Sequence, residues 1–91
     1  MKAETIYADQ VFNFLKEILP LVRDAGYTRL AEHVEVAIKH YIPPSLTSEF
    51  YGVAMTALRE VTDSASDVLT LEQLNRARHL AGAIKAQWFS I

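Results

Sequence analysis

The amino-acid sequence predicts an all-α protein with the architecture of an up-down antiparallel four-helix bundle. Four segments of the chain place their apolar residues on one side of a helical wheel, and these segments begin or end at typical capping residues. No segment alternates apolar and polar residues as a half-buried strand does. The chain has 91 residues, of which 51% are hydrophobic and 22% charged, so we expect residues 1–91 to form a single domain around one core.

The first helix is predicted over residues 5–25, where apolar side chains fill about half of the helical wheel. Pro20 falls on the polar side of this wheel, where water can replace the lost backbone hydrogen bond, so we expect a kink and no break. Gly26 is expected to end the helix, because glycine adopts the left-handed conformation of a helix C-terminus at low cost. The positions expected to face the core most directly are Val11, Leu15, Ile18 and Val22.

The second helix is predicted over residues 29–42. Thr28 is expected to be its N-cap residue, since a threonine hydroxyl can accept a hydrogen bond from a backbone N–H of the first turn. Pro43 and Pro44 follow Ile42, and a residue that precedes proline is disfavoured in the helical conformation, so we expect the helix to stop there. Its predicted buried face consists of Leu30, Val34, Ala37, Ile38 and Tyr41.

The third helix is predicted over residues 48–62, with Thr47 or Ser48 as its N-cap residue. If Thr47 is the cap, Leu46 and Tyr51 occupy the two positions of a hydrophobic staple, in which apolar side chains on either side of the first turn pack together. The helix is expected to end where polar side chains that compete with helical hydrogen bonds follow one another.

The fourth helix is predicted over residues 71–89 and has the clearest beginning. Thr70 and Gln73 match the capping box, in which each side chain bonds the backbone N–H of the other residue. Apolar residues then recur at alternating spacings of three and four, which is typical of the packed stripe of a helix in a bundle. The predicted stripe is Leu74, Ala77, Ala81, Ile84 and Trp88.

The residue types required by common catalytic and metal sites are missing or wrongly spaced. The chain contains no Cys, which removes thiolate metal ligands and cysteine nucleophiles. None of its three His lies three or four residues from Asp, Glu or another His, the spacing with which a helix binds a metal ion. The three Gly are isolated, so no phosphate-binding loop or nucleophile elbow can be assembled. We therefore predict a non-enzymatic protein with no catalytic residues, no metal and no cofactor.

His79 leaves one catalytic alternative open. It is predicted on the outer side of the fourth helix, and histidine phosphotransfer domains are helical bundles that carry an exposed histidine. Their His-x-x-Lys-Gly pattern resembles the sequence from His79 to Gly82 only in part, because the glycine comes one position early and the lysine is missing. The resemblance implies a histidine that accepts a phosphoryl group.

A second alternative is weak nucleic-acid binding through a basic strip on the fourth helix. Residues 71–91 carry a net charge of +2 and residues 1–70 carry −4, which gives the chain its net charge of −2. A few cations on one helix supply only a weak, salt-dependent contact with phosphates, and the overall charge argues against nucleic acid as a partner. The predicted strip consists of Arg76, Arg78, His79 and Lys85.

The first helix is apolar over about half of its circumference, which exceeds the stripe of about 100° that a helix needs on its core side. Surplus aromatic and methionine side chains are typical of protein interfaces, whereas the alternative is that a small domain closes its core with bulky side chains. We predict that the protein binds another protein or a second copy of itself. The interface candidates are Tyr7, Phe14, Leu21, Tyr51, Met55 and Phe89.

Two stretches of sequence carry a resemblance to known proteins. Residues 21–32 read LVRDAGYTRLAE, a helix-Ala-Gly-helix joint, and Ser48-Glu49-Phe50 leads into residues 54–59, AMTALR. Together they resemble small all-α bacterial proteins, some of which are immunity-type partners of toxins. The resemblance implies an inhibitor or immunity-type role with a cognate protein partner and no catalysis.

The N-terminal region lacks the pattern of a secretory signal, because Asp9, Lys16 and Glu17 interrupt its apolar residues. No apolar run approaches the roughly 18 residues that cross a bilayer. We therefore expect a cytoplasmic protein that makes no contact with a membrane.

Overall fold

The computed structural model describes the backbone of residues 2–43 and 46–90 and the side chains of residues 7–43 and 46–89. It contains four helices and, within those residues, no strand. Consecutive helices pack on each other, and the fourth closes the ring by packing on the first. The prediction of an all-α four-helix bundle is confirmed. The helices are α1 (Lys2–Asp24), α2 (Thr28–Lys39), α3 (Ser48–Ser64) and α4 (Leu71–Ser90).

Side-chain pairs show that α1 and α2 are antiparallel, and the short connections after α2 and α3 likewise reverse the chain direction. Near the end of α1, Arg23 pairs with Glu35 in the middle of α2. Nearer its beginning, Asp9 accepts a hydrogen bond from the hydroxyl of Tyr41, which lies beyond the end of α2. The bundle therefore has a loop end, with the α1–α2 and α3–α4 connections, and an opposite end, where the α2–α3 connection, the beginning of α1 and the end of α4 meet. We call this opposite end the terminal end.

The end of α1 is a Schellman motif. Gly26 has a φ of +88°, and its N–H donates to the carbonyl of Arg23 at 3.1 Å. The N–H of Tyr27 donates to the carbonyl of Val22 at 3.0 Å. These two hydrogen bonds satisfy carbonyl groups that the end of a helix otherwise leaves without partners, so the predicted role of Gly26 is confirmed. The helix also continues through Pro20, as expected.

The N-cap of α2 differs from the prediction. The helix begins at Thr28, and its N-cap residue is Tyr27, which makes no side-chain capping bond. The prediction that Thr28 caps this helix is therefore wrong. Because the Schellman motif ends at Tyr27, the chain enters helical geometry one residue earlier than the sequence suggested.

The end of α2 also differs, because the helix stops at Lys39 rather than at residue 42. Pro43 has no N–H to donate to the carbonyl of Lys39, and its ring would collide with that carbonyl in a continued helix. Just after the helix, the imidazole Nδ1 of His40 donates to the carbonyl of Val36 at 2.9 Å. Pro44, the second residue of the predicted stop, lies outside the described residues.

The predicted caps of α3 and α4 are confirmed. Thr47 accepts a hydrogen bond from the N–H of Phe50 at 3.1 Å. In the capping box, Thr70 N–H donates to Gln73 Oε1 at 3.0 Å, and Gln73 N–H donates to Thr70 Oγ1 at 3.1 Å. The third helix runs two residues past its predicted end, and the hydroxyl of Thr62 bonds back to the carbonyl of Arg59 within it.

All four helices contribute to one apolar core. The buried face of α4 is rotated from the predicted stripe, since Leu80 replaces Ala81 and Gln87 replaces Trp88 as buried residues. The larger side chain of Leu80 fills the space between the helices, whereas Ala81 and Trp88 are only partly buried. The largest fully buried side chains are Phe14, Phe50, Leu15, Ile18, Leu58 and Ile84.

Candidate functional site

Phe14 is not available to a partner. Its side chain is fully buried, and the guanidinium carbon of Arg76 lies 5.1 Å from the centroid of its ring. The prediction that Phe14 is an interface anchor is wrong. Its flank of α1 is covered by α4, and the sequence could not show which neighbour would pack there.

Tyr7 and Leu21 lie on the same helix but at different ends of the bundle. Leu21 is 38% exposed near the loop end, whereas Tyr7 is partly buried toward the terminal end. Fourteen residues of helix separate them, or about 20 Å at a rise of 1.5 Å per residue. The structure therefore does not bring Leu21 together with the candidates at the terminal end.

The remaining interface candidates lie on α3 and α4, toward the terminal end. The rings of Tyr51 and Trp88 are stacked, with centroids 4.9 Å apart and planes inclined by 12°. Phe89 follows Trp88 and is 74% exposed, and Met55 lies one helical turn from Tyr51 and is partly buried. We call Tyr51, Met55, Trp88 and Phe89 the aromatic end surface. Trp88 was missed as an interface residue because its spacing matched the core stripe.

Ile42 adds an exposed apolar side chain at the same end of the bundle. It is 62% exposed in the connection between α2 and α3. Ile42 was predicted to lie in the second helix and was not among the predicted interface residues. Pro43 could have identified Ile42 as exposed, because a residue that precedes proline is disfavoured in a helix and so leaves its buried face.

The predicted basic strip on α4 divides into two faces. At about 100° per residue, Arg78 lies about 200° and Lys85 about 180° from Arg76 around the helix axis. Arg76 faces α1, where its Nη1 lies 3.4 Å from Glu17 Oε1. Arg78, Lys85 and Phe89 share another face of α4, since they are separated by seven and four residues. The four predicted residues therefore do not form one surface.

Arg76 and His79 are the pair of the predicted strip that lies beside α1. They line a depression between α1 and α4 with Gln10, Asn13 and Leu80. They also line a second depression along α4, which includes Leu71, Glu72 and Asn75. Gln10 and Asn13 were not predicted as site residues, because polar side chains on the solvent-exposed face of a helix are common.

The other histidines have structural partners. His33 donates from Nδ1 to the carboxylate of Glu60 and joins α2 to α3, a contact between helices that spacing along one helix could not reveal. Within the described residues, no group of three or more His, Cys, Asp or Glu side chains could hold a metal ion. In the same part of the chain, no helix is both long and apolar enough to cross a membrane.

Two tyrosines donate hydrogen bonds to carboxylates. Burial raises the pKa of Tyr41 to about 12, and its hydrogen bond to Asp9 adds to the effect. The hydrogen bond from Tyr27 to Asp67, with oxygens 2.8 and 2.9 Å away, raises the pKa of Tyr27. Both phenols are therefore held in the neutral form and tie separate elements together, which is a structural role.

The chain was compared with known proteins by sequence and by structure. No family model, curated protein or solved structure matches it. The resemblance to immunity-type proteins and the phosphotransfer alternative at His79 therefore stay predictions.

Proposed function

We propose that this protein is a non-enzymatic protein-binding domain that docks its partner on the aromatic end surface. The observation that supports this function is the exposure of Phe89, at 74%, beside the stacked pair of Tyr51 and Trp88. Burial of so exposed a phenylalanine ring against a partner is favourable, because it removes apolar surface from water. The stack beside it loses little conformational freedom on binding, because its rings already hold each other in place.

The composition of the surface is that of an interface centre. Aromatic residues and methionine are enriched in protein interfaces, whereas charged residues are depleted from their fully buried core. Residues of this kind carry a large share of binding energy when they fill a pocket in the partner. Met55 adds a flexible thioether at the edge of the rigid stack, which lets the surface adapt to the shape of a partner.

The charges on α4 define the chemistry of the partner. Lys85 and Arg78 continue the face that carries Phe89, and the only acidic residue of this helix, Glu72, lies near the loop end. A partner with an apolar pocket bordered by acidic side chains would complement this surface and would associate faster at low salt. We propose that this partner is a cytoplasmic protein inhibited in an immunity-type manner, and a second copy of the chain is the alternative occupant.

The test compares two substitutions that introduce a negative charge at equally exposed apolar positions. Phe89 and Leu71 are 74% and 72% exposed and lie at opposite ends of α4. Three proteins are immobilised and used to capture proteins from the native host: wild type, Phe89→Glu and Leu71→Glu. Each captured protein is then purified and titrated against all three. We expect wild type and Leu71→Glu to bind the purified partner and Phe89→Glu to lose at least about tenfold in affinity.

Light scattering over a concentration series tests self-association with the same three proteins. If a second copy occupies the surface, Phe89→Glu is monomeric at concentrations where wild type and Leu71→Glu are dimeric. A wild-type monomer without any binding partner that depends on Phe89 would refute the proposed function. Equal loss of binding in both variants would place the interface elsewhere.

A further inference from the structure

The groove between α1 and α4 brings together polar groups that have no role in the aromatic end surface. We propose that this groove binds one oxyanion, a phosphate or carboxylate group of a small ligand, between Asn13 and Gln10 on α1 and Arg76 and His79 on α4. These residues and Leu80 line one depression. The site does not depend on the proposed function, because it lies on the side of α4 that faces α1.

Helix geometry explains why these four side chains converge. Gln10 and Asn13 are three residues apart, as are Arg76 and His79, and residues at this spacing are neighbours on one helix face. The contact of Glu17 with Arg76 shows that these faces of α1 and α4 adjoin each other. Leu80 is buried and provides an apolar floor. A bound group would therefore meet donors from both helices.

Arg76 is held in place by two contacts that leave most of its donors free. Its guanidinium lies over the ring of Phe14, and Nη1 lies 3.4 Å from Glu17 Oε1. Glu17 is itself positioned by a hydrogen bond from Gln73 Nε2 at 3.1 Å. A guanidinium has five N–H donors in a planar fork, so one contact with a carboxylate leaves several donors for a ligand.

The other three polar groups supply donors without competing contacts inside the protein. Among the described residues, the side chains of Gln10, Asn13 and His79 make no hydrogen bond or ion pair with one another or with a neighbour. Amide groups and an imidazole N–H donate to oxygen, and hydrogen bonds to a charged oxygen are stronger than neutral ones. This donor set matches an oxygen-rich anion.

The nearby carboxylates limit the size of the anion. Glu17 lies beside Arg76, and Glu72 lines the adjoining depression along α4. They repel every anion, but an extended polyanion such as a nucleic-acid backbone would have to pass both carboxylates, whereas a single phosphate or carboxylate needs to contact only the guanidinium and its neighbouring donors. The geometry therefore favours a small ligand over nucleic acid at this groove.

The experiment titrates the full chain with inorganic phosphate and, separately, with acetate at constant ionic strength. Backbone and side-chain amide signals are followed by two-dimensional NMR. We expect saturable shifts concentrated at the side-chain amides of Gln10 and Asn13 and at the backbone of Arg76 and His79. Saturation by phosphate alone or by acetate alone identifies the class of oxyanion, and saturation by neither overturns the proposal.

Three variants separate a specific site from general electrostatic attraction. Asn13→Asp is nearly isosteric and places a carboxylate in the groove. Arg76→Gln removes the cation. Each substitution is expected to weaken anion binding by about tenfold or more. Arg78→Gln removes the same charge from another face of α4 and should change affinity less than about twofold. Equal weakening by Arg78→Gln, or unchanged affinity in Asn13→Asp, overturns the proposal. Asn13→Asp decides the outcome if Arg76→Gln fails to fold.

Discussion

Tyr41 shows how one residue couples packing to protonation. Its ring lies between those of Phe12 and Phe50, with centroid distances of 4.6 and 4.9 Å. Its hydroxyl donates to Asp9 and so connects the beginning of α1 to the connection that follows α2. The side chain therefore joins three elements at the terminal end.

Loss of the Tyr41 hydroxyl should lower the free energy of unfolding and make it less dependent on pH in the alkaline range. Tyr41→Phe keeps the ring contacts but deletes the hydrogen bond to Asp9, so we expect a loss of about 1–2 kcal/mol in the free energy of unfolding at neutral pH. The folded-state pKa of about 12 lies above the unfolded value of about 10. The stabilisation by the neutral phenol is therefore complete below pH 10 and is lost as the pH rises toward 12.

Urea denaturation from pH 7 to pH 12 measures both effects. The difference in stability between wild type and Tyr41→Phe should shrink between pH 10 and pH 12. A constant difference over this range would show that the Tyr41 hydroxyl does not titrate as described.

Burial determines the cost of truncating leucine residues in this protein. Leu58 is fully buried in α3, so Leu58→Ala is expected to lower the free energy of unfolding by about 2–5 kcal/mol through lost burial and the cavity left behind. Leu71 is 72% exposed, and Leu71→Ala should change stability by less than about 0.5 kcal/mol. Thermal and urea denaturation of both variants measure the contrast. Similar losses in the two would contradict the assignment of Leu58 to the core.

At the scale of elements, replacement of glycine by alanine should change stability in opposite directions at Gly26 and at the two helical glycines. Gly26 has a φ of +88°, so Gly26→Ala should destabilise the protein by about 1–2 kcal/mol, although a Cβ there would meet no atom within 4 Å. Gly52 and Gly82 lie inside helices with open space around them. Alanine should stabilise the protein by about 0.5–1 kcal/mol at each, because glycine loses more backbone entropy on folding. Denaturation midpoints of the three variants test the signs, and stabilisation by Gly26→Ala would contradict the Schellman geometry.

The sequence predicted helices and caps well because these depend on nearby residues. Thr47, Thr70 and Gln73 bond within their own first turns, so their roles follow from spacing alone. The errors lie where a neighbouring element decides the outcome. Tyr27, and not Thr28, is the N-cap residue of α2 because the preceding turn is a Schellman motif, and Leu80 is buried because of the helices around α4.

The candidate sites were only partly predictable for the same reason. Phe89 could be identified as an apolar residue beyond the core stripe, and the structure leaves it exposed. Phe14 had the same pattern, but α4 covers it. The groove between α1 and α4 required knowledge of which helices are neighbours, since neither Asn13 on α1 nor His79 on α4 forms a binding site on its own helix.

At the scale of the whole molecule, one core shared by four helices predicts cooperative unfolding. Trp88 is the only tryptophan and stacks on Tyr51, so its fluorescence reports on the packing of α3 against α4. Far-UV circular dichroism reports on all four helices. We expect the two signals to give the same urea midpoint, because a domain of this size unfolds in one step. A fluorescence transition that precedes the loss of helix would show that the terminal end opens separately.

The antiparallel arrangement has a consequence for the electric field around the bundle. Each helix has a positive and a negative end, and neighbouring helices that run in opposite directions largely cancel each other's dipoles. The remaining field comes from side chains. In α3 three carboxylates outnumber one arginine, whereas in α4 three cations outnumber one carboxylate. A partner protein that approaches along the bundle would therefore meet a negative field along α3 and a positive field along α4, and would be oriented before it reached the aromatic end surface at one end of these helices.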